Sequence, residues 1–242
     1  EAEYGKVIFS DVLPYAANMI NTYNETHLHR TLKNLYSQED AMQEMPLEGF
    51  ICDIYTPDGR IIEIQTAHIA ALKQKIHALL PKHSITIVYP IITNAYIRML
   101  NADGSVRSYR KSPKHGHFFQ LFKELYALIP YLDHRNFNIT ALFIDCEIIK
   151  IDDKKGRSRY KHPRIIDKKL LQIHKTETIQ GIDDLCAPVL KNLPNLFTSQ
   201  EVRNLSPARY ASYAISFLKK AQKITYCTKA GRYHVYKKTG IE

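Results

Sequence analysis

This sequence predicts an α/β fold: a central mixed sheet flanked by helices, followed by a small C-terminal domain of three helices and a hairpin. Three observations lead there. Short runs rich in β-branched and aromatic residues alternate with stretches whose apolar side chains recur every three or four positions. Pairs of strand-like runs are punctuated by turn sequences, Pro-Asp-Gly at 57–59, Asn-Ala-Asp-Gly at 101–104 and Lys-Ala-Gly-Arg at 229–232. The last 60 residues follow a plan of their own, with helix caps at Thr198 and Ser206 and Pro207 at a favoured first helical position.

The chain opens with an expected helix over residues 15–37, carrying Ala16, Met19, Ile20, Tyr23, Leu28, Leu32 and Leu35 on one stripe. Glu25 lies at the edge of that stripe. His27 and His29, two positions apart, diverge on a helix and make a poor metal pair. A short strand over 42–47 leads into the stretch that organises the chain, the hairpin of 50–55 and 60–66. Its loop suits a three-residue turn in which Pro57 presets φ, Asp58 caps and Gly59 takes the left-handed position. That register sets Tyr55 against Ile61 and Asp53 against Glu63. Alternation then gathers Asp53, Glu63 and Gln65 on one face and Ile54, Ile62 and Ile64 on the other.

Opposed like charges destabilise a sheet. Two carboxylates about 5 Å apart become favourable with a hard divalent cation between them, since Mg²⁺ takes one or two carboxylates plus water and phosphate oxygens. A hairpin whose outer face is merely polar is the competing reading.

Downstream, an amphipathic helix is expected over 67–80 and a buried strand over 84–92. A second hairpin follows over 95–100 and 105–109, then a helix over 117–132 and a long strand over 138–151. The segment 110–117 holds Arg110, Lys111 and Lys114 ahead of the expected helix, a set suited to phosphate. The polar, basic stretch 152–164 reads as a linker or mobile loop, and 164–178 as a connecting helix. The domain plan is therefore 1–151, a linking segment 152–180, and 181–242.

The C-terminal plan matches a winged helix-turn-helix, in which the second helix of the motif enters the major groove. Arg209, Tyr210, Ser212 and Tyr213 are the candidate groove-facing residues, and Lys229 and Arg232 the candidate wing contacts. A protein-docking module is the alternative use of such a fold. Charge points to nucleic acid. Residues 1–149 hold 14 Lys/Arg against 16 Asp/Glu, whereas 150–242 hold 20 against 8, balances of −2 and +12 that make up the net +10. No apolar run approaches the ~18 residues of a membrane span, and no signal-peptide pattern opens the sequence. Cys52, Cys146, Cys186 and Cys227 are scattered, as expected of free thiols in a reducing cytoplasm without structural zinc.

Glu25 on a helix, then Asp53, then Glu63-Ile64-Gln65 at a strand end, then a helix: this layout resembles the PD-(D/E)XK, or restriction-endonuclease-like, nuclease superfamily over about residues 15–92. The resemblance implies that Asp53, Glu63 and the Ile64 carbonyl bind Mg²⁺, with Mn²⁺ as a substitute. It implies catalytic roles for Glu25, Asp53, Glu63 and Gln65. The third motif position is usually Lys; Gln65 there resembles some type II restriction enzymes, and its amide would orient the attacking water. The longer order, Glu-Ile-Gln-Thr, Val-Tyr-Pro-Ile, Arg-Lys-Ser-Pro-Lys and a terminal winged helix, is similar to uncharacterised bacterial nuclease-like proteins. The expectation is a metal-dependent endodeoxyribonuclease acting on double-stranded DNA, as a homodimer where both strands are cut. A catalytically dormant DNA-binding regulator or transposition accessory protein is the alternative.

Overall fold

The computed structural model describes residues 25–155 and 162–239. The chain runs α1 (His27–Tyr36), β1 (Met42–Leu47), β2 (Phe50–Tyr55), β3 (Arg60–Ile64), and a 3₁₀ turn (Ile69–Leu72) leading into α2 (Lys73–Leu79). Then come β4 (Ser84–Asn101), β5 (Val106–Lys111), α3 (Gln120–Glu124), a 3₁₀ turn (Tyr126–Leu128), α4 (Ile129–Leu132), β6 (Phe137–Asp152) and β7 (Arg164–Ile179). The last elements are α5 (Ile182–Leu190), β8 (Leu196–Thr198), α6 (Ser199–Asn204), α7 (Ala208–Lys220), β9 (Ile224–Ala230) and β10 (Tyr233–Lys238).

A seven-stranded sheet has the order β1-β2-β3-β4-β6-β7, with β5 also pairing β4. It is mixed: β3 and β4 are parallel, whereas β1–β2, β2–β3 and β4–β5 are antiparallel. The α/β class with a large mixed sheet and flanking helices is as expected. A second sheet of three strands has the order β8-β10-β9, both pairs antiparallel.

The chain divides into two compact units. One comprises 39–89, 117–141 and 177–242. Its core holds Ile54, Ile61, Ile64, Ile76, Leu79, Phe122 and Phe217, all essentially inaccessible. The other comprises 1–38, 90–116 and 142–176, with Leu28, Leu32, Ile91, Ile144 and Cys146 buried. The C-terminal segment shares a unit with the first hairpin because α7 sets Phe217 edge-on against Phe122 of α3, with ring centroids 5.3 Å apart.

Four local expectations need correction. Residues 164–178 form strand β7, not a connecting helix; β-branched Ile165, Ile166, Thr176 and Thr178 favour extended backbone, and β6 supplies a partner edge. The expected helix 117–132 is broken into α3, a 3₁₀ turn and α4, because Pro130 lacks the N–H of a helix interior and starts a new helix instead. His68 takes a left-handed conformation, φ 56°, so the helix expected from residue 67 starts only after it. Ser206 makes no cap for α7; its hydroxyl turns to the Pro207 carbonyl. In contrast, Thr198 and Glu201 form the full reciprocal capping box of α6. At the start of the chain α1 begins at His27 behind an N-cap at Thr26, and the part of the expected helix before residue 25 lies outside the described residues. Cys52, Cys146 and Cys186 are buried and Cys227 is exposed, all as free thiols. Among the described residues no helix is long and apolar enough to cross a membrane.

Candidate functional site

The turn between β2 and β3 closes as its sequence requires. Thr56 N–H donates to the Arg60 carbonyl at 2.9 Å, Gly59 N–H donates to the Thr56 carbonyl at 2.9 Å, and Gly59 adopts φ +83°, where a side chain would be strained. Arg60 also reaches back to Asp58 at 2.6 Å. The resulting register pairs Ile54 with Ile62 and Tyr55 with Ile61, so the next pair outward is Asp53 and Glu63.

At that pair the carboxylates take over from the backbone ladder. Asp53 N–H donates to Glu63 Oε1 at 3.3 Å, and Ile64 N–H donates to Asp53 Oδ2 at 2.8 Å. Each acid thus binds backbone on the opposite strand. Glu63 is 4% exposed, and its acidity reflects this: burial, then the neighbouring Asp53 charge, push its pKa up to about 7, against the opposing pull of Lys75.

Lys75, on α2, is the residue that sequence reasoning missed. Its ammonium lies 2.5 Å from Glu63 Oε1 and donates to the Ile51 carbonyl, also at 2.5 Å. The signal was present, since position 75 falls one turn before Leu79 on a helix otherwise set into the core by Ile76 and Leu79. A lysine there must find a buried anion. Cys52, on the same strand as Asp53, is held as a neutral thiol by burial, its pKa pushed up to about 11.

The other expected members of the site have partners of their own. Gln65 is half-buried, and its amide nitrogen donates to the carbonyls of Ala67 and His68, bracing the left-handed turn before α2. Glu25 precedes α1 in the other unit, with its carboxylate 3.0 Å from Lys33 and 3.4 Å from His29. Its charge is balanced there. Ile64 contributes its backbone N–H to the pair and buries its side chain completely. Among the described residues no cluster of three or more His, Cys, Asp or Glu is arranged for a metal ion. The acidic site is two carboxylates with a lysine, within the one or two carboxylates that Mg²⁺ uses.

The basic candidates also separate. Arg110 and Lys111 are exposed on β5, registered against Ile97 and Tyr96, so their side chains lie on opposite faces of the strand pair. Lys114 follows in a loop whose Ser112 hydroxyl accepts its N–H at 3.1 Å. The helix start expected beside this cluster is absent, because α3 begins only at Gln120 and is five residues long. On α7, Arg209 lies over the Tyr210 ring at 4.6 Å, and Lys123 of α3 lies over the Tyr213 ring at 5.8 Å. Ser212 is exposed, and Lys229 and Arg232 are exposed around the β9–β10 turn. Tyr213 is exposed beside Ser212 on α7, whereas Tyr210 is half-buried.

Residues 26–180 match the family described as "Domain of unknown function (DUF8091)". An uncharacterised protein of Treponema pallidum (strain Nichols) is 44% identical over 219 residues, spanning 90% of this chain and 87% of that protein. No solved structure matches. The matched segment extends from α1 through β7 and contains the Asp53–Glu63 pair together with Lys75, and on this coverage the chain belongs to the DUF8091 family.

Proposed function

We propose that this protein is a Mg²⁺-dependent endodeoxyribonuclease of the restriction-endonuclease-like superfamily, brought to double-stranded DNA by a C-terminal winged helix. One observation carries the reading: a tight turn brings Asp53 and Glu63 together across the hairpin beside Lys75, where burial and the Asp53 charge disfavour ionised Glu63. A divalent cation relieves both at once. Asp53 and Glu63 would hold it, with the Ile64 carbonyl as a further oxygen donor. Bound there, Mg²⁺ supplies a water acidic enough to give hydroxide near neutral pH and offsets the charge that grows on the phosphate.

The chain's own groups do the rest. Glu63, its pKa pushed up to about 7, would become an ionised oxygen donor as pH rises through neutrality. Lys75 brings to the site the cation that Gln65, in the third motif position, does not provide. Its ammonium, held on Glu63 and the Ile51 carbonyl, would orient a water or a phosphate oxygen at the same site. The winged-helix part of the reading is supported by the order α5, β8, α6, α7, β9, β10 and the β8-β10-β9 sheet, a three-helix unit with a terminal hairpin. The charge balance of +12 over residues 150–242 supports a polyanionic partner. Cutting both strands in one encounter requires a homodimer.

A second reading, a catalytically dormant DNA-binding regulator or transposition accessory protein, is favoured by the Lys75–Glu63 contact itself, since the lysine already neutralises the acid. Nicking of supercoiled plasmid separates the two. With Mg²⁺ or Mn²⁺, the nuclease converts supercoiled to open-circular DNA, and Asp53→Ala and Glu63→Ala abolish the conversion. Plasmid that stays supercoiled in either metal, while still shifted by the protein, leaves the regulator.

A further inference from the structure

We infer that α7, together with the segment carrying Lys123 and Tyr126, is a phosphate-tracking surface that holds duplex DNA without reading its base sequence. The inference rests on the nucleic-acid partner proposed above, not on the nuclease activity.

The argument starts from which side of α7 stays open. Ala211, Ala214, Phe217 and Leu218 are buried, Phe217 against Phe122. Tyr210 is half-buried, and Tyr213 stands under Lys123. What remains exposed recurs at helical spacing: Arg209, Ser212, Ser216 and Lys219, with Lys220 alongside. This stripe spans roughly 15 Å of helix axis. It offers ammonium and hydroxyl groups and carries no Asn, Gln or carboxylate; α7 has no acidic residue at all.

Two of the lysines at this surface are held by aromatic rings. Lys220 lies 4.3 Å above the Tyr126 ring and Lys123 lies 5.8 Å from the Tyr213 ring. A ring face orders an ammonium while leaving it charged toward solvent. The neighbouring carboxylates are spent elsewhere: Glu124 accepts the Ile69 N–H at 3.2 Å, and Asp183 binds Lys223 at 2.5 Å. Tyr126, Ser216, Lys219 and Lys220 line a hollow of about 370 Å³. Lysines in a last helical turn also serve the helix dipole, but Tyr126, from a separate segment converging on the same hollow, is not explained that way.

The donor chemistry decides the mode of recognition. Lysine and serine commonly bind phosphate oxygens and fix position, and the stripe lacks the Asn and Gln whose bidentate contacts read adenine in the major groove. The stripe has one guanidinium, Arg209, and it is laid over Tyr210. A lipid headgroup is the other source of surface phosphate. The elongated run of cations and hydroxyls along the helix favours the nucleic-acid backbone.

The test uses the full chain in EDTA, with fluorescence anisotropy on two labelled duplexes of equal length and unrelated sequence, over a salt series. The two duplexes should bind within about threefold of each other. The triple variant Lys123→Ala/Lys219→Ala/Lys220→Ala should weaken both alike, by about tenfold or more, and reduce the slope of log K against log[salt] by about 2 to 3, near 0.9 per lost phosphate contact. The matching Lys→Arg triple variant should restore the slope and checks that the fold is intact. An unchanged slope in the alanine variant, a tenfold preference for one duplex, or equal loss of binding to anionic phosphatidylglycerol vesicles overturns the inference. Intact binding of this kind without plasmid nicking would refute the nuclease reading alone.

Discussion

Glu63→Gln tests the electrostatic core of the site. In the folded chain, burial and the Asp53 charge raise the Glu63 pKa from 4.5 to about 7. Between those values the folded protein keeps a proton that the unfolded chain has released, so stability falls as pH rises through this window and levels off above it. The shift corresponds to about 3 kcal/mol. Glutamine keeps the shape and removes the titration. Urea unfolding of wild type and variant at intervals from pH 4.5 to 8 should therefore show the variant gaining on wild type with rising pH, by up to about 3 kcal/mol. Saturating Mg²⁺ should reverse this trend in the wild type alone, since an ion bound to ionised Glu63 stabilises the folded state. A wild-type-minus-variant difference that is flat across the window, or that slopes the other way, would refute the reasoning: it would mean that Lys75 outweighs burial and Asp53 together.

Two further predictions concern neighbouring elements. Lys75→Met strands a buried carboxylate, so it should cost about 3–5 kcal/mol at pH 8 and clearly less at pH 5, where Glu63 is protonated; thermal melts at the two pH values check this. Thr198→Ala removes the capping box of α6 and should cost about 1 kcal/mol in urea unfolding, without changing plasmid nicking.

How much of this was legible in the sequence differs from element to element. The Asp53–Glu63 pairing was readable because turn chemistry is local: Pro57, Asp58 and Gly59 set the loop length, and loop length sets the register. Lys75 was not read as part of the site, although its place near an apolar stripe marked it as buried. Which anion it meets depends on how α2 lies over the sheet, a long-range fact. Residues 164–178 illustrate the same limit. Their Leu and Lys content suits a helix, and only the partner edge of β6 makes them a strand. Pro130 was a readable signal within the sequence, and it broke the expected helix as its missing N–H dictates. The charge asymmetry placed the excess of cations in residues 150–242 without singling out an element. Picking out the open stripe of α7 required knowing that Phe217 packs on Phe122.

The crossed hydrogen bonds of Asp53 and Glu63 also bear on inheritance. Each acid secures the strand that carries the other, so neither position drifts independently. A residue that cannot accept a hydrogen bond at one position leaves a backbone N–H of the hairpin without its carboxylate partner and loosens the mouth of the hairpin. Substitutions among relatives should therefore arrive as matched pairs, with Lys75 exchanged in the same lineages. A collection of sequences in which these three positions vary without correlation would mean that the cross-bracing is dispensable.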